Sequence, residues 1–473
     1  MGSSAMQYSD VDASRLLFGF TAAYHFLFVP LTIGLMALMA AFEGWSLLTG
    51  RPALRQVARF LSWPFVINFI CGVLTGYPLR SQIELHWAGY AQVVQGIVGP
   101  VFAFEAQVAP VLFTLVAVVA LGWHLKPMLH FLASTALAVV LVVQSTAILM
   151  INAWMQWPEG AEFVGGQARI ASVTDLAGHP LVAPKVLHTI AGAWVLAGMV
   201  AVAICAWFRL KHRHAEVASA GLRGAAVFCL VSLVITALAG HWSGERLVRY
   251  QPMKFAAIEA LWETDGRNAD FLVAAVPDRS AQHNRFELAV PGALGWVVDT
   301  RETPLQGLKA LARDSTAGLP NVGLVFWSFR AMLVAWGLMT VLVLLVLWRT
   351  PDPQRRVGRT LLRACVVALP LPWIAIEAGW IVCESGRQPW VITGVLTTAQ
   401  AAGKVPAAEA MLHLLLAVEL GAVMLWVNVK LHLAHVRRGL SLVPQEVPQE
   451  VPQEVPAGLA AAGRRSHPAV LGG

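Results

Sequence analysis

Apolar residues in this chain come in long, nearly unbroken runs separated by short charged connections, a rhythm that matches neither an alternating strand nor a one-sided helix. A run must reach about 18 residues to cross a bilayer as helix. That criterion predicts about nine spans, at roughly 16–48, 60–79, 94–123, 128–153, 186–209, 222–241, 324–348, 360–383 and 408–433. The expected fold is all-α, a polytopic membrane protein whose helices form bundles. Most connections are short, and two segments stand apart. Residues 242–323 are too long for an idle loop in a compact protein, and QPMKFAAIEALWET (251–264) within them has helical character. Residues 439–473 carry the repeat VPQEVPQEVPQEVP, too rich in proline for helix and too poor in apolar residues for a core. The expected organisation is therefore 1–241 with six helices, 242–323 as an outer-side loop, 324–438 with three helices, and 439–473 as a disordered cytoplasmic tail.

Composition supports that picture. The 473 residues are 57% hydrophobic and 13% charged, against about a quarter charged in an ordinary soluble chain. The formal net charge of +7 needs no nucleic acid to explain it, because basic residues gather in alternate connections. Arg51, Arg55 and Arg59 follow the first span, Lys126 the third, and Arg209, Lys211, Arg213 and Arg223 flank the fifth. Arg349, Arg355, Arg356, Arg359 and Arg363 crowd the seventh connection, and Lys430, Arg437 and Arg438 close the ninth span. The positive-inside rule then puts the N-terminus outside and the C-terminus in the cytoplasm. Residues 1–14 hold Asp10 and Asp12 and no basic residue, so no cleavable signal peptide is expected. Cys71, Cys205, Cys229 and Cys365 lie inside apolar runs and Cys383 at the end of one, without CxxC spacing; they read as small apolar residues.

Ionisable side chains inside a membrane are functional candidates by default. On this topology His25, Glu105, His188, Met332 and Glu384 all fall in the outer half of their spans, with Arg330 two residues before Met332 and Arg387 three after Glu384. Each has an ordinary explanation. A membrane histidine can simply bond a neighbouring helix, a methionine can simply pack, and Glu384 with Arg387 can be an interfacial ion pair. Their shared placement favours a set of iron ligands, since His, Met and carboxylate are side chains that ligate haem iron. Zinc fits less well, because no two of them share an i, i+4 spacing.

With those residues in view the sequence resembles subunit I of cytochrome bd-type quinol oxidases, in a short-loop form, from about residue 8 to 435. The stretches that carry the resemblance are SRLLFGFTAAYHFLFVPLTIGL (14–35), NAWMQWPEG (152–160), KVLHTIAGAWV (185–195), QPMKFAAIEALWET (251–264), SFRAM (328–332) and LPWIAIEAGWIVCESGRQPW (371–390). The resemblance implies bundles enclosing three haems. His188 and Met332 would hold a low-spin haem b, with Arg330 near its propionates. His25, Glu105 and Glu384 would serve a high-spin haem b and a haem d or further haem b, with Trp380 beside them. Arg387 would be a counter-charge for Glu384 or for propionates. Lys254 and Glu259 would bind quinol and take its proton. The implied activity is quinol:dioxygen oxidoreduction in a bacterial inner membrane, electrogenic because quinol protons leave outside and protons for water enter from inside. A second membrane subunit is the implied partner, with single-span accessory peptides as further candidates.

Three positions depart from the family pattern. A second glutamate, eight residues after the one matching Glu105, is usually assigned to proton delivery; here that position is Phe113. Gly240-His241 and Gln95-Gly96 stand where the family has Gly-Asp pairs. Phenylalanine carries no proton, so Thr114 with water, or Glu377 two turns before Glu384, is a substitute. A divergent haem-binding or scaffold paralogue is the second reading. A transporter has little support, with no inverted repeat or pair of broken helices in evidence.

Overall fold

In the computed structural model the described residues are 9–170, 172–264, 269–298, 305–314, 318–350 and 357–440; the expected tail from 441 onward lies outside them. Five long helices open the chain: α1 (Asp10–Phe26), α2 (Val29–Thr49), α3 (Pro52–Leu85), α4 (Ala88–Leu121) and α5 (Pro127–Gln156). A hairpin, β1 (Ala161–Val164) with β2 (Gln167–Ile170), and the short α6 (Val173–Ala177) lead to α7 (Val182–Leu210) and α8 (Ala215–Tyr250). The long connection holds α9 (Pro252–Glu259), the hairpin β3 (Phe271–Asp278) with β4 (His283–Val290), α10 (Leu294–Val297) and α11 (Leu308–Asp314). Then come α12 (Val322–Arg349), α13 (Arg359–Val367), α14 (Leu371–Ser385), β5 (Trp390–Ile392), β6 (Leu396–Thr397), α15 (Thr398–Ala401) and α16 (Ala407–Arg438). Among the described residues nine helical spans are long and apolar enough to cross a membrane, matching the sequence expectation.

Proline accounts for the interruptions. The first span is two helices because Pro30 has no N–H to return to Phe26, and its ring crowds that turn. Carbonyls beside the break also accept from side chains of neighbouring helices. Trp373 Nε1 donates to Leu27 O at 3.0 Å and Asn68 Nδ2 to Phe28 O at 2.5 Å. The eighth span breaks likewise into α13 and α14 at 368–370, ahead of Pro372. The expected loop is shorter than 242–323, because α8 continues unbroken to Tyr250 and α12 starts at Val322. The helix read in 251–264 is present but stops at Ala260, whose backbone is left-handed (φ 49°).

The core lies between α2, α3, α7 and α8, and α7 is the most enclosed of the spans. Small residues let these helices approach closely. A Cβ on Gly34 would fall 2.0 Å from Ala193 O, and one on Gly198 2.8 Å from Cys229 Cβ. Cys71, Cys205, Cys229 and Cys365 are buried free thiols, in keeping with their apolar setting. By contrast α4, α14 and α16 keep most of their surface outside the bundle. The hairpins and α9 gather at one end. There Ala407 N donates to Asp10 Oδ1 at 2.7 Å, Gly403 N to His86 O at 2.8 Å and Thr393 N to Met155 O at 3.1 Å. We call this the loop end; the arginine-rich connections lie at the other.

Candidate functional site

His25 stands at the end of α1, one residue before the Pro30 break begins to unwind the chain. Its Nδ1 is 2.8 Å from Thr75 Oγ1, whose own hydrogen points to Cys71 O (2.8 Å) or Gly72 O (3.1 Å). Thr75 must therefore accept, so Nδ1 of His25 carries the proton. His188 on α7 is arranged the same way. Its Nδ1 lies 3.0 Å from Thr236 O on α8, an oxygen that can only accept. In both rings Nε2 is left as a free lone pair, with no hydrogen bond among the described residues. Metal-ligating histidines are oriented in this manner, by a fixed bond at the other ring nitrogen.

Glycines face these rings. A Cβ on Gly76 would come within 3.3 Å of His25 Cε1, and one on Gly240 within 3.2 Å of His188 Cε1 and Nδ1. Met332 on α12 repeats the pattern, its sulfur 3.1 Å from the Cβ position of Gly379 on α14. Three of the five candidate ligands thus lie in notches that larger residues would fill.

α14 joins the pieces. Gly379 borders Met332, and Trp380 stacks on Phe26, next to His25, with ring centroids 4.6 Å apart. One turn on, Glu384 Oε1 accepts from Asn152 Nδ2 at 3.0 Å and Oε2 accepts from Arg387 Nη2. Arg387 is buried, yet its Nε and Nη1 have no partner among the described residues, and neither has Glu377 Oε1. Unpaired buried donors on an arginine are rare and call for an acceptor. The carboxylates of a haem propionate are such an acceptor, so the residues present fit the group on two counts: free histidine lone pairs and free guanidinium donors.

The connection after α8 packs against this site. Lys254 and Glu259, both on α9, are only 4% exposed. Lys254 Nζ donates to Gln156 Oε1, and burial, ahead of the neighbouring charges, lowers its pKa to about 7. Glu259 pairs with Arg330 at 2.7 Å; burial raises its pKa while Arg330 pulls the other way. Arg330 also donates to Ile258 O at 2.7 Å and from Nε to Leu272 O at 3.0 Å, with Phe326 stacked at 4.1 Å. Most of its donors are therefore engaged by the loop. Arg387, rather than Arg330, holds the larger reserve for an anionic group.

Not every expected residue joins the cluster. Glu105 sits in α4 without a hydrogen bond or ion pair among the described residues, on a helix mostly open to the outside. Phe113 packs on Phe69 at 5.8 Å, and Thr114 Oγ1 turns back to Pro110 O at 2.8 Å. Sequence reasoning missed Thr75, Asn152, Gln156, Lys185 and the three glycines. Asn152 and Gln156 were visible within NAWMQWPEG, and their i, i+4 spacing was the available signal.

The described residues form a nine-span bundle in which two histidines with one ring nitrogen fixed, a methionine and unpaired arginine donors lie around one helix, a set of side chains that fits a haem. Comparison with known proteins narrows the class. Residues 13–440 match the family Cytochrome bd terminal oxidase subunit I, and the chain belongs to that family. It is similar to Cytochrome bd-II ubiquinol oxidase subunit 1 of Escherichia coli (strain K12), at 31% identity over 92% of this chain and 98% of that one. It is also similar to Cytochrome bd ubiquinol oxidase subunit 1 of Bacillus subtilis (strain 168), at 30% identity over 83% and 86%. The bd oxidase structure from Geobacillus thermodenitrificans shares the fold, with a TM-score of 0.83 over 91% of this chain and 99% of that one, at 24% identity. Haem and iron, and a place in respiratory electron transport, follow from the family.

Proposed function

We propose that this chain is the catalytic subunit of a quinol:dioxygen oxidoreductase, with quinol bound at α9 and haem held by the helices around α14. One observation carries the reading. The buried Lys254 and Glu259 are each one hydrogen-bonded partner away from the helices bearing the candidate ligands, through Gln156 on α5 and Arg330 on α12. In this reading His188 and Met332 hold a low-spin haem b. His25, Glu105 and Glu384 serve a high-spin haem b and a haem d or further haem b, with Trp380 alongside and Arg387 donating to propionates. When bound, haem iron supplies one-electron transfer and dioxygen binding.

The protein's own groups handle binding and protons. Lys254 donates a hydrogen bond to a quinol oxygen. Glu259, whose proton affinity burial raises, takes a quinol proton, and Arg330 holds it in place. In this reading the loop end faces outside, where those protons leave; the basic residues at the opposite end support a cytoplasmic side there. Protons for water enter from the cytoplasmic side, which makes turnover electrogenic. Glu377, with its unpaired buried oxygen, takes the proton role that Phe113 lacks. The open faces of α4 and α16 pack on a second membrane subunit, with room for single-span peptides.

Oxygen uptake by the haem-replete complex with reduced ubiquinol or menaquinol tests this directly. Quinol-dependent uptake is expected, and the preferred quinol follows from the comparison. Absence of uptake in a preparation whose haemochrome shows full haem content would overturn the oxidase reading in favour of the divergent paralogue.

A further inference from the structure

NAWMQWPEG contributes two amides, Asn152 half-buried and Gln156 buried, that the reaction so far does not use. Asn152 and Gln156 lie one turn apart on the same face of α5. Asn152 serves the ligand side, with Nδ2 on Glu384 and Oδ1 accepting from Lys185 Nζ. Gln156 is 2% exposed and serves the loop side. Its Oε1 accepts from Lys254 Nζ and, at 3.2 Å, from Gln251 Nε2, while its Nε2 donates to Cys383 Sγ at 3.5 Å. Lys254 is held a second time along its stem. A Cβ on Gly386 would stand 2.7 Å from Lys254 Cγ and 3.3 Å from Cδ, so the stem lies in the notch that glycine leaves.

We propose that Gln156 is a positioning residue for quinol: with the Gly386 notch it fixes the Lys254 ammonium at the wall of the haem-bearing bundle, poised to bond a quinol oxygen. The inference rests on the reading of Lys254 as a quinol-binding residue. Three features support it. A flexible lysine loses rotamer freedom when it binds, and holding it beforehand removes that loss. The acceptor is a neutral amide, which takes one ammonium hydrogen and leaves the others for quinol. Gln156 is itself fixed on both sides, by Gln251 and Cys383, so the position it sets for Lys254 is well determined.

The test uses the assembled complex, following oxygen uptake against short-chain quinol and, separately, equilibrium binding of the oxidised quinone. Gln156→Leu should raise KM and the quinone Kd about tenfold, the size of one lost hydrogen bond, with kcat and the haem absorption spectrum unchanged. Gln156→Glu keeps an acceptor oxygen at the same reach and should recover most of the loss. In a Lys254→Met background Gln156→Leu should add nothing, because both changes remove the same contact. Gly386→Ala, whose Cβ would meet the Lys254 stem at 2.7 Å and Val382 O at 2.6 Å, should raise KM in the same direction. If Lys254→Met raises KM while Gln156→Leu and Gly386→Ala leave it unchanged, the positioning role is refuted and the quinol site stands. If Lys254→Met itself leaves KM unchanged, the quinol-site reading falls, and this inference with it.

Discussion

Two pairs of a carboxylate with a basic side chain, one at each end of the molecule, are built to opposite standards of completeness. At the arginine-rich end Glu43 on α2 meets His130 on α5 at 2.6 Å, with both side chains all but fully buried. Ser134 Oγ donates to the other Glu43 oxygen at 2.7 Å, and His130 Nε2 lies 3.2 Å from Val119 O. That carbonyl can only accept, so the imidazole and carboxylate share one further proton between them, and every polar atom is matched. Trp123 covers the imidazole with ring centroids 3.9 Å apart. At the loop end Glu384 and Arg387 pair too, but two guanidinium nitrogens have no partner among the described residues. A closed pair joins helices. An open pair has donors still to place.

The comparison can be broken experimentally. Glu43→Leu leaves His130 buried beside a lost partner and should destabilise the protein by about 3–5 kcal/mol, read as a large fall in Tm of the detergent-solubilised complex. Adding His130→Leu should restore much of that loss, since an apolar pair of similar volume replaces a buried polar pair at little cost. Arg387→Leu should show the reverse profile, with loss of haem absorbance exceeding any loss of Tm. Equal effects of Glu43→Leu and Arg387→Leu on haem content would erase the distinction. Next in size, Gly76→Val and Gly240→Val drive a side chain into His25 and His188 respectively. Each should remove its own histidine's haem signal and spare the other, as resolved by reduced-minus-oxidised spectra.

The smallest effect is in pH. Lys254 ordinarily titrates near 10.5, and burial brings it to about 7. Between those values the unfolded chain binds the proton and the folded one does not, so this group's penalty on stability is absent at high pH and grows as pH falls toward 7. Quinone affinity should bend near pH 7 as the amine changes charge, and Lys254→Met should remove the bend; a bend that survives the substitution assigns it elsewhere.

Much of the architecture was legible before any coordinates. Apolar run length gave the nine spans found among the described residues. Depth along a helix is written in sequence, but direction around it is not. That is why Arg330, two residues from Met332, was expected at haem propionates although most of its donors turn to Glu259, Ile258 and Leu272. It is also why Glu43 and His130, 87 residues apart, gave no sign of pairing. The first span read as one helix because its apolar run is continuous; only Pro30 betrayed the break. The glycine notches were invisible, since a glycine in an apolar run looks the same whether it faces lipid or a histidine ring.

Gly386 and Lys254 illustrate a wider consequence. The space a glycine leaves is filled by a side chain from another part of the chain, so position 386 is not free to change while 254 is lysine. A Cβ at 386 would meet Val382 O at 2.6 Å as well as the Lys254 stem at 2.7 Å, so a short residue at 254 relieves only the second clash. Across relatives, the expectation is that a lysine at 254 occurs only with glycine at 386, which an alignment can check without a single purified protein.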